Sequence, residues 1–456
     1  LTARPAEDHP PSRLLFTRNQ GPWCKAPDTE RDPDCTATPG AVVRSGLYPA
    51  SLQGEGFCAR MAEQPRADEL LAPFVAVREE GGALKPMPYS RAFPDATREV
   101  AAKIRTLATR FVEDEEMQRY LEAAATAFET DDWATADAVW TRMKKSPWYL
   151  RIAPDEVFFS PCGRKAMFQL SFGRMSPDAR SWQRKIGLFK QRMEDEVARL
   201  AGSAYGAREA DFRLPDFVEI ILNAGDTRRP LGAFIGQSLP NFGPLAEGGR
   251  RTVAYTNLYG DPDSHAQLVE QAASAFCPDT FQGFTPDDES RIINTAFHDV
   301  ARNLGPGAGH RVRGKTPPEI FGGALAATLE ELQAQAVSQH LAQWLGSKEL
   351  LEQDTVRGMF TFGVIWALSH FSREMTTASG GPRPISQLAA IELGILEREG
   401  ALTWTNRTAQ NGTDEGCFSI DWPKVPRALE TLARDVLRIK AAGRREAAQQ
   451  LIEAYV

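Results

Sequence analysis

The sequence predicts a mainly α-helical α+β fold with a small β-sheet or barrel portion, and three observations point to it. Apolar residues recur at three- and four-residue steps over two long stretches, one beginning at Asp95 and one at Thr285. β-Branched and aromatic residues gather in short runs only between Glu156 and Tyr255. No internal repeat interrupts the pattern, and the only low-complexity patch is Gly305-Pro306-Gly307-Ala308-Gly309.

Taken in order, residues 1–50 are rich in Pro, Asp and Thr and read as an irregular arm. Residues 51–245 read as a mixed α/β lobe and residues 246–456 as a helical lobe. Val100, Ile104, Leu107 and Phe111 mark a first helix, Tyr120, Leu121, Ala124 and Phe128 a second, and Asp131-Asp132 opens a third with Trp133, Val139 and Trp140. Strands are expected at Val157-Phe158-Phe159, Phe217–Leu222, Ala233-Phe234-Ile235 and Thr252–Tyr255, with a basic helix near Ser181–Ala201 between them. From there helices are expected to the end of the chain. Thr285-Pro286-Asp287-Asp288 predicts a helix start with a hydroxyl cap and proline in the first turn, and Gly305-Pro306 its stop. A second long helix is predicted from Pro317 to Leu345.

With 456 residues, 42% hydrophobic and 25% charged, the chain has the composition of a globular protein able to bury a sizeable core. Its formal net charge of −7 argues against a polyanion such as nucleic acid as partner. No run approaches the length of apolar chain that spans a bilayer, so no transmembrane segment is expected. The opening Leu1-Thr2-Ala3-Arg4-Pro5 lacks the basic and apolar regions of an export signal, so any signal or anchor is expected to have been processed away. Six cysteines lack metal-ribbon or redox-pair spacing. The polar segment Cys24–Cys35 has no apolar surface to order it, so a disulfide between these two is expected, with Cys58 free or paired to a distant cysteine. The expected location is periplasmic or secreted, against the alternative of buried free thiols in a cytoplasmic protein.

The chemistry concentrates on the two long helices. A zincin helix carries two histidines four or five residues apart, a Glu directly after the first as general base, and a carboxylate ligand from a second helix. The first helix here reads His298-Asp299-Val300-Ala301-Arg302-Asn303, and the second Leu329-Glu330-Glu331-Leu332-Gln333-Ala334-Gln335. Only the first histidine is present. Asp299 keeps the charge of the base but reaches about 1.5 Å less far than a Glu. Arg302 stands where a ligand is needed, and a guanidinium repels a cation rather than ligating one.

These stretches, with Gly236-Gln237-Ser238-Leu239-Pro240-Asn241, resemble the dipeptidyl peptidase III family of zinc exopeptidases over residues 90–456. Its motifs are HExxGH, shortened to HExxH in some bacterial relatives, then EExxxE, and a substrate-binding G-x-N-x-P-N segment. The resemblance implies a two-lobed scaffold with a cleft. It assigns His298 to the first zinc ligand, Glu331 to the carboxylate ligand, Asp299 to the general base and Arg302 to the second histidine of the shortened motif. Glu330 and Gln335 fall on the second motif's other acids, Asn241 on a backbone-gripping asparagine, Ser238 on its partner, and Ser379 on a further histidine. His310, on the glycine-rich loop, is a candidate substitute metal ligand. The expectation is a scaffold without zinc or another cofactor that binds a peptide or small-molecule ligand in the cleft, Arg302 serving as its cation. The alternative is an enzyme, either a zinc hydrolase rebuilt on His298, Glu331 and His310 or new chemistry in the same cleft. The oligomeric state is not indicated.

Overall fold

A computed structural model describes residues 46–157, 160–176, 184, 186–225, 236–246, 249–259, 262–307, 309–372, 374–376 and 382–456. The chain divides into two compact units, Leu1–Pro177 with Asp216–Asp263 and Asp178–Pro215 with Ser264–Val456.

In the first unit, strands β1 (Val75–Glu80) and β2 (Ala83–Pro88) pair antiparallel across Gly81-Gly82. Both glycines have positive φ, as a two-residue hairpin of this kind requires. Three helices follow: α1 (Pro94–Ala108), α2 (Glu115–Thr130) and α3 (Trp133–Arg142). Proline opens α1, while Asp114 and Asp132 cap α2 and α3 by accepting from the amides of Met117 and Thr135. Their apolar faces bury Ile104, Tyr120, Leu121, Trp133 and Trp140 against Tyr149, Val218, Ile220 and Tyr255 of a five-stranded sheet. The sheet comprises β3 (Trp148–Glu156), β4 (Met167–Met175), β5 (Asp216–Gly225), β6 (Gly236–Leu239) and β7 (Arg251–Tyr255), in the order β3-β4-β5-β7-β6. Only β5 and β7 run parallel, and the sheet is open, not a barrel.

The first strand lies earlier than expected. Val157 is outside it, Phe158-Phe159 and Ala233–Ile235 lie outside the described residues, and β3 instead contains Arg151, Pro154 and Asp155. These residues mask the strand pattern: Arg151 and Asp155 are buried as an ion pair, and Pro154 is tolerated because β3 is an edge strand.

The second unit is a helical assembly: α4 (Lys190–Ala201), α5 (Asp288–Arg302), α6 (Gly323–Ser347), α7 (Gln353–Phe371), α8 (Pro384–Arg398), α9 (Val425–Ala442) and α10 (Arg445–Tyr455). The segment around α4, expected with the mixed lobe, belongs here because Met193, Val197 and Leu200 enter the core formed by Phe297, Val300, Leu332, Val337, Leu432 and Val436. The cap of α5 is Asp287, whose carboxylate accepts from Ser290 N at 2.6 Å, rather than Thr285. The predicted helix from Pro317 is two helices, Pro317–Phe321 and α6, broken at Gly322, whose φ of 84° a side chain would disfavour. Helices do not continue to the C-terminus without interruption: β8 (Leu402–Thr408) and β9 (Glu415–Ile420) form a hairpin before α9.

Among the described residues two disulfides are present, each within one unit. Cys58 pairs with Cys162 across 104 residues, and Cys277 with Cys417 across 140. No described cysteine is free, and Cys24 and Cys35 lie outside the described residues. Among the described residues no helix is long and apolar enough to cross a membrane.

Candidate functional site

Helices α5 and α6 present their polar residues to one another at four-residue steps. Arg302 meets Glu331, His298 meets Gln335, and Asn294 meets Gln339, so each rung moves four residues back on α5 and four forward on α6. Residues four apart share a helix face, and opposed stepping means the two helices run antiparallel. The neighbouring apolar stripe, with Phe297, Val300 and Ala301 on α5 and Leu329, Leu332 and Ala336 on α6, buries this seam's flank.

At the exposed end of the seam, Arg302 Nη2 lies 2.5 Å from Glu331 Oε2 and 3.4 Å from His298 Nε2, and His298 Nε2 lies 3.6 Å from Glu331 Oε2. The His298 and Glu331 side chains are 20% and 19% exposed and that of Arg302 38%, so solvent reaches all three. Burial pushes the Glu331 carboxyl up, but the neighbouring His298 ring and the Arg302 guanidinium outweigh that and hold it at about 2. Burial raises the Asp299 carboxyl above the usual range, against the pull of His298 and Arg302. Glu330 pairs with Lys440 of α9 at 2.5 Å, and burial lowers this lysine, whose side chain is 1% exposed. Behind the seam, Gln335 Nε2 donates to Glu392 Oε1 of α8 at 3.2 Å. Burial pushes the Glu392 carboxyl up to about 8.

His298, Asp299, Arg302, Glu330, Glu331 and Gln335 thus come together on α5 and α6. His310 does not join them: its Nε2 donates to the carbonyl of Ala441 at 3.0 Å, and its ring packs against Tyr205. His340 is buried against Glu196 at 2.9 Å, and His370 packs on Trp366. Ser238 and Asn241 belong to the first unit. There the Ser238 hydroxyl bonds that of Thr252 at 3.0 Å, and Asn241 Nδ2 donates to the carbonyl of Asp155 at 3.1 Å. Ser379 lies outside the described residues.

Two residues escaped the sequence reading. Lys440 falls one turn beyond the buried Val436 on the apolar face of α9, and Glu392 is a lone acid within Leu388-Ala389-Ala390-Ile391-Glu392-Leu393. A charge inside an apolar stripe was the signal, since burying one is costly without a partner.

Zinc, which the resemblance implies, takes three protein donors and one open position in a catalytic site. At the exposed end one imidazole and one carboxylate converge, with a guanidinium in hydrogen-bond range of both. Among the described residues no group of three or more His, Cys, Asp or Glu side chains stands close enough to hold a metal ion. The side chains present do not make a zinc donor set.

The chain matches no family profile. It is 22% identical over 402 residues to Nudix hydrolase 3 of Arabidopsis thaliana, a match covering 85% of this chain and 48% of that protein, so the chain spans about half the length of this curated relative. Among solved structures, DPP III from Caldithrix abyssi superposes with a TM-score of 0.74 at 19% identity, over 97% of this chain and 81% of that one. Dipeptidyl-peptidase III from Corallococcus sp. strain EGB superposes with a TM-score of 0.63 at 20% identity, over 97% and 79%. At such identities the likeness is one of fold, and the fold of this chain, α-rich with a small open mixed sheet, is that of dipeptidyl peptidase III.

Proposed function

We propose that this chain is a peptidase-like protein that binds a peptide or small molecule at the α5–α6 face without zinc-dependent hydrolysis, with Arg302 as the fixed cation of the site. One observation carries the reading: the Arg302 guanidinium sits on Glu331 and within reach of His298 Nε2, where a zinc ligand set would need to converge. Removing a dication from beside a carboxylate leaves negative charge that is costly when half-buried, and a guanidinium offsets it without ligation chemistry. Asp299 then has no activated water to use, because a general base acts only after a metal has lowered that water's pKa. Arg302, His298, Asp299, Glu330 and Glu331 are the proposed ligand-facing groups; Gln335, assigned to the cleft by the resemblance, is buried behind them with both ends of its amide bonded. Ser238 and Asn241 are proposed separately as ligand contacts of the first unit, and Ser379 lies outside the described residues. The two disulfides support the further proposal of an oxidising, periplasmic or secreted location.

The test is metal analysis and dipeptidyl peptidase assay of the full chain purified without added zinc. Expected are no stoichiometric transition metal and no chelator-sensitive cleavage. Asp299→Glu alone leaves both unchanged, whereas Asp299→Glu with Arg302→His recovers zinc affinity by rebuilding two histidines opposite Glu331. Zinc-dependent cleavage by the unmodified protein, abolished by His298→Ala, overturns the reading and establishes a rebuilt metal site.

A further inference from the structure

The hydrogen bonds behind the site form a chain with one direction. Glu392 lies on α8 at 1% exposure, Oε1 accepting from Gln335 Nε2 at 3.2 Å and Oε2 without a partner among the described residues. A side-chain amide has one donor end and one acceptor end. With its donor end turned to Glu392, Gln335 turns its Oε1 to His298 Nδ1, also at 3.2 Å. A carbonyl oxygen only accepts, so Nδ1 must carry the proton of that bond. The neutral ring then keeps a lone pair on Nε2, which faces the Arg302 donor Nη2 at 3.4 Å. Donors and acceptors agree along the path Arg302, His298, Gln335, Glu392.

We propose that Glu392 is the positioning residue of the site: by fixing the Gln335 amide it fixes His298 as the Nδ1–H tautomer and leaves Nε2 as an acceptor. Glu392 does not touch the ligand-facing surface and acts only through Gln335. The carboxyl accepts at Oε1 when it is ionised and also when its proton sits on Oε2, and these are the states the proposal requires. On the ligand-binding reading above, on which this consequence rests, a ligand donor reaches the Nε2 lone pair by taking the place of the Arg302 contact, beside the Glu331 carboxylate. The site then suits an N–H or O–H donor rather than an anion, because the Arg302 charge is already matched by Glu331.

The test reads the tautomer directly on ligand-free, ¹⁵N-labelled full chain by long-range ¹H–¹⁵N correlation at alkaline pH. His298→Asn identifies the signals. The expected wild-type spectrum has a protonated Nδ1 and a bare Nε2, and an Nε2–H tautomer overturns the proposal whatever any variant does. In Glu392→Met the amide of Gln335 is free to turn, and the Nδ1–H form falls to a minority; an unchanged wild-type pattern overturns the proposal. Glu392→Gln keeps an acceptor oxygen and keeps the wild-type tautomer, an outcome that mere filling of the space by methionine does not reproduce. No ligand is present, so the result stands apart from whether the face binds a peptide.

Discussion

Each unit holds an arginine paired with a carboxylate, and the two are built for different ends. In the first unit the Arg151 side chain is 1% exposed. It bonds Asp155 through Nε at 2.7 Å and Nη2 at 2.5 Å, lies 2.7 Å from Asp137 and packs over Trp140. Burial pushes the Asp137 carboxyl up to about 6 despite the opposing pull of Arg151. In the second unit Arg302 makes a comparable approach to Glu331, yet its side chain is 38% exposed and its nearest other neighbour is an imidazole. The sealed cluster holds β3 and, through the carbonyl of Asp155, the Asn241 side chain. The open one leaves charged groups where a ligand can reach them. Burial, not the pairing itself, separates a structural guanidinium from one available to a ligand.

Substituting the two arginines is the sharpest way to break that comparison. Arg151→Leu strands Asp155 and Asp137 in the core and is expected to cost about 3–5 kcal/mol, read as a fall in the denaturant midpoint. Arg302→Leu is expected to cost about 1 kcal/mol or less, because solvent takes over the charge of Glu331. Equal costs would show that the second site is as structural as the first.

A pH series sharpens the comparison further. Glu392 is protonated in the folded protein up to about pH 8 and ionised in the unfolded chain above about pH 4.3. The folded state therefore binds the extra proton in this window, and stability falls as pH rises from about 4.3 to 8. Glu392→Gln removes that slope, so its melting temperature relative to wild type should rise between pH 5 and pH 8. A constant difference would mean that Glu392 is charged in the fold. At the acid end the sign reverses. Glu331, held at about 2, stabilises the fold above its unfolded value and loses this contribution as pH falls from about 4 toward 2. Glu331→Gln should flatten that limb slightly, the smallest of these effects because the group is partly solvated.

The two helices were legible because polar residues at four-residue spacing against an apolar stripe leave a mark in the sequence, while the setting of His298 and Arg302 opposite Glu331 and Gln335 came from the resemblance to a zinc-peptidase motif. Lys440 and Glu392 were not, since each is a single charge within an apolar helix and its partner is distant in the chain. Strand β3 was hidden by Arg151 and Asp155, which read as surface residues until their pairing is known. The β8–β9 hairpin alternates Thr, Trp, Asn and Arg with little buried surface, so its pattern never rose above that of a loop. The Cys58–Cys162 link joins residues 104 apart, and no local spacing could announce it.

The opposed four-residue rungs of α5 and α6 act as a key in a slot. Sliding one helix by a turn would set Arg302 against Gln335 and His298 against Gln339, abandoning Glu331 without its counter-charge. Turning α5 by one residue position, about 100°, would carry all three rungs off the seam together. Gradual adjustment of this helix pair is therefore closed off, and a ligand arriving at the exposed end meets a surface that can change only by side-chain rotation. On the proposed ligand-binding reading, a ligand must fit the spacing of His298, Arg302 and Glu331 as it finds them.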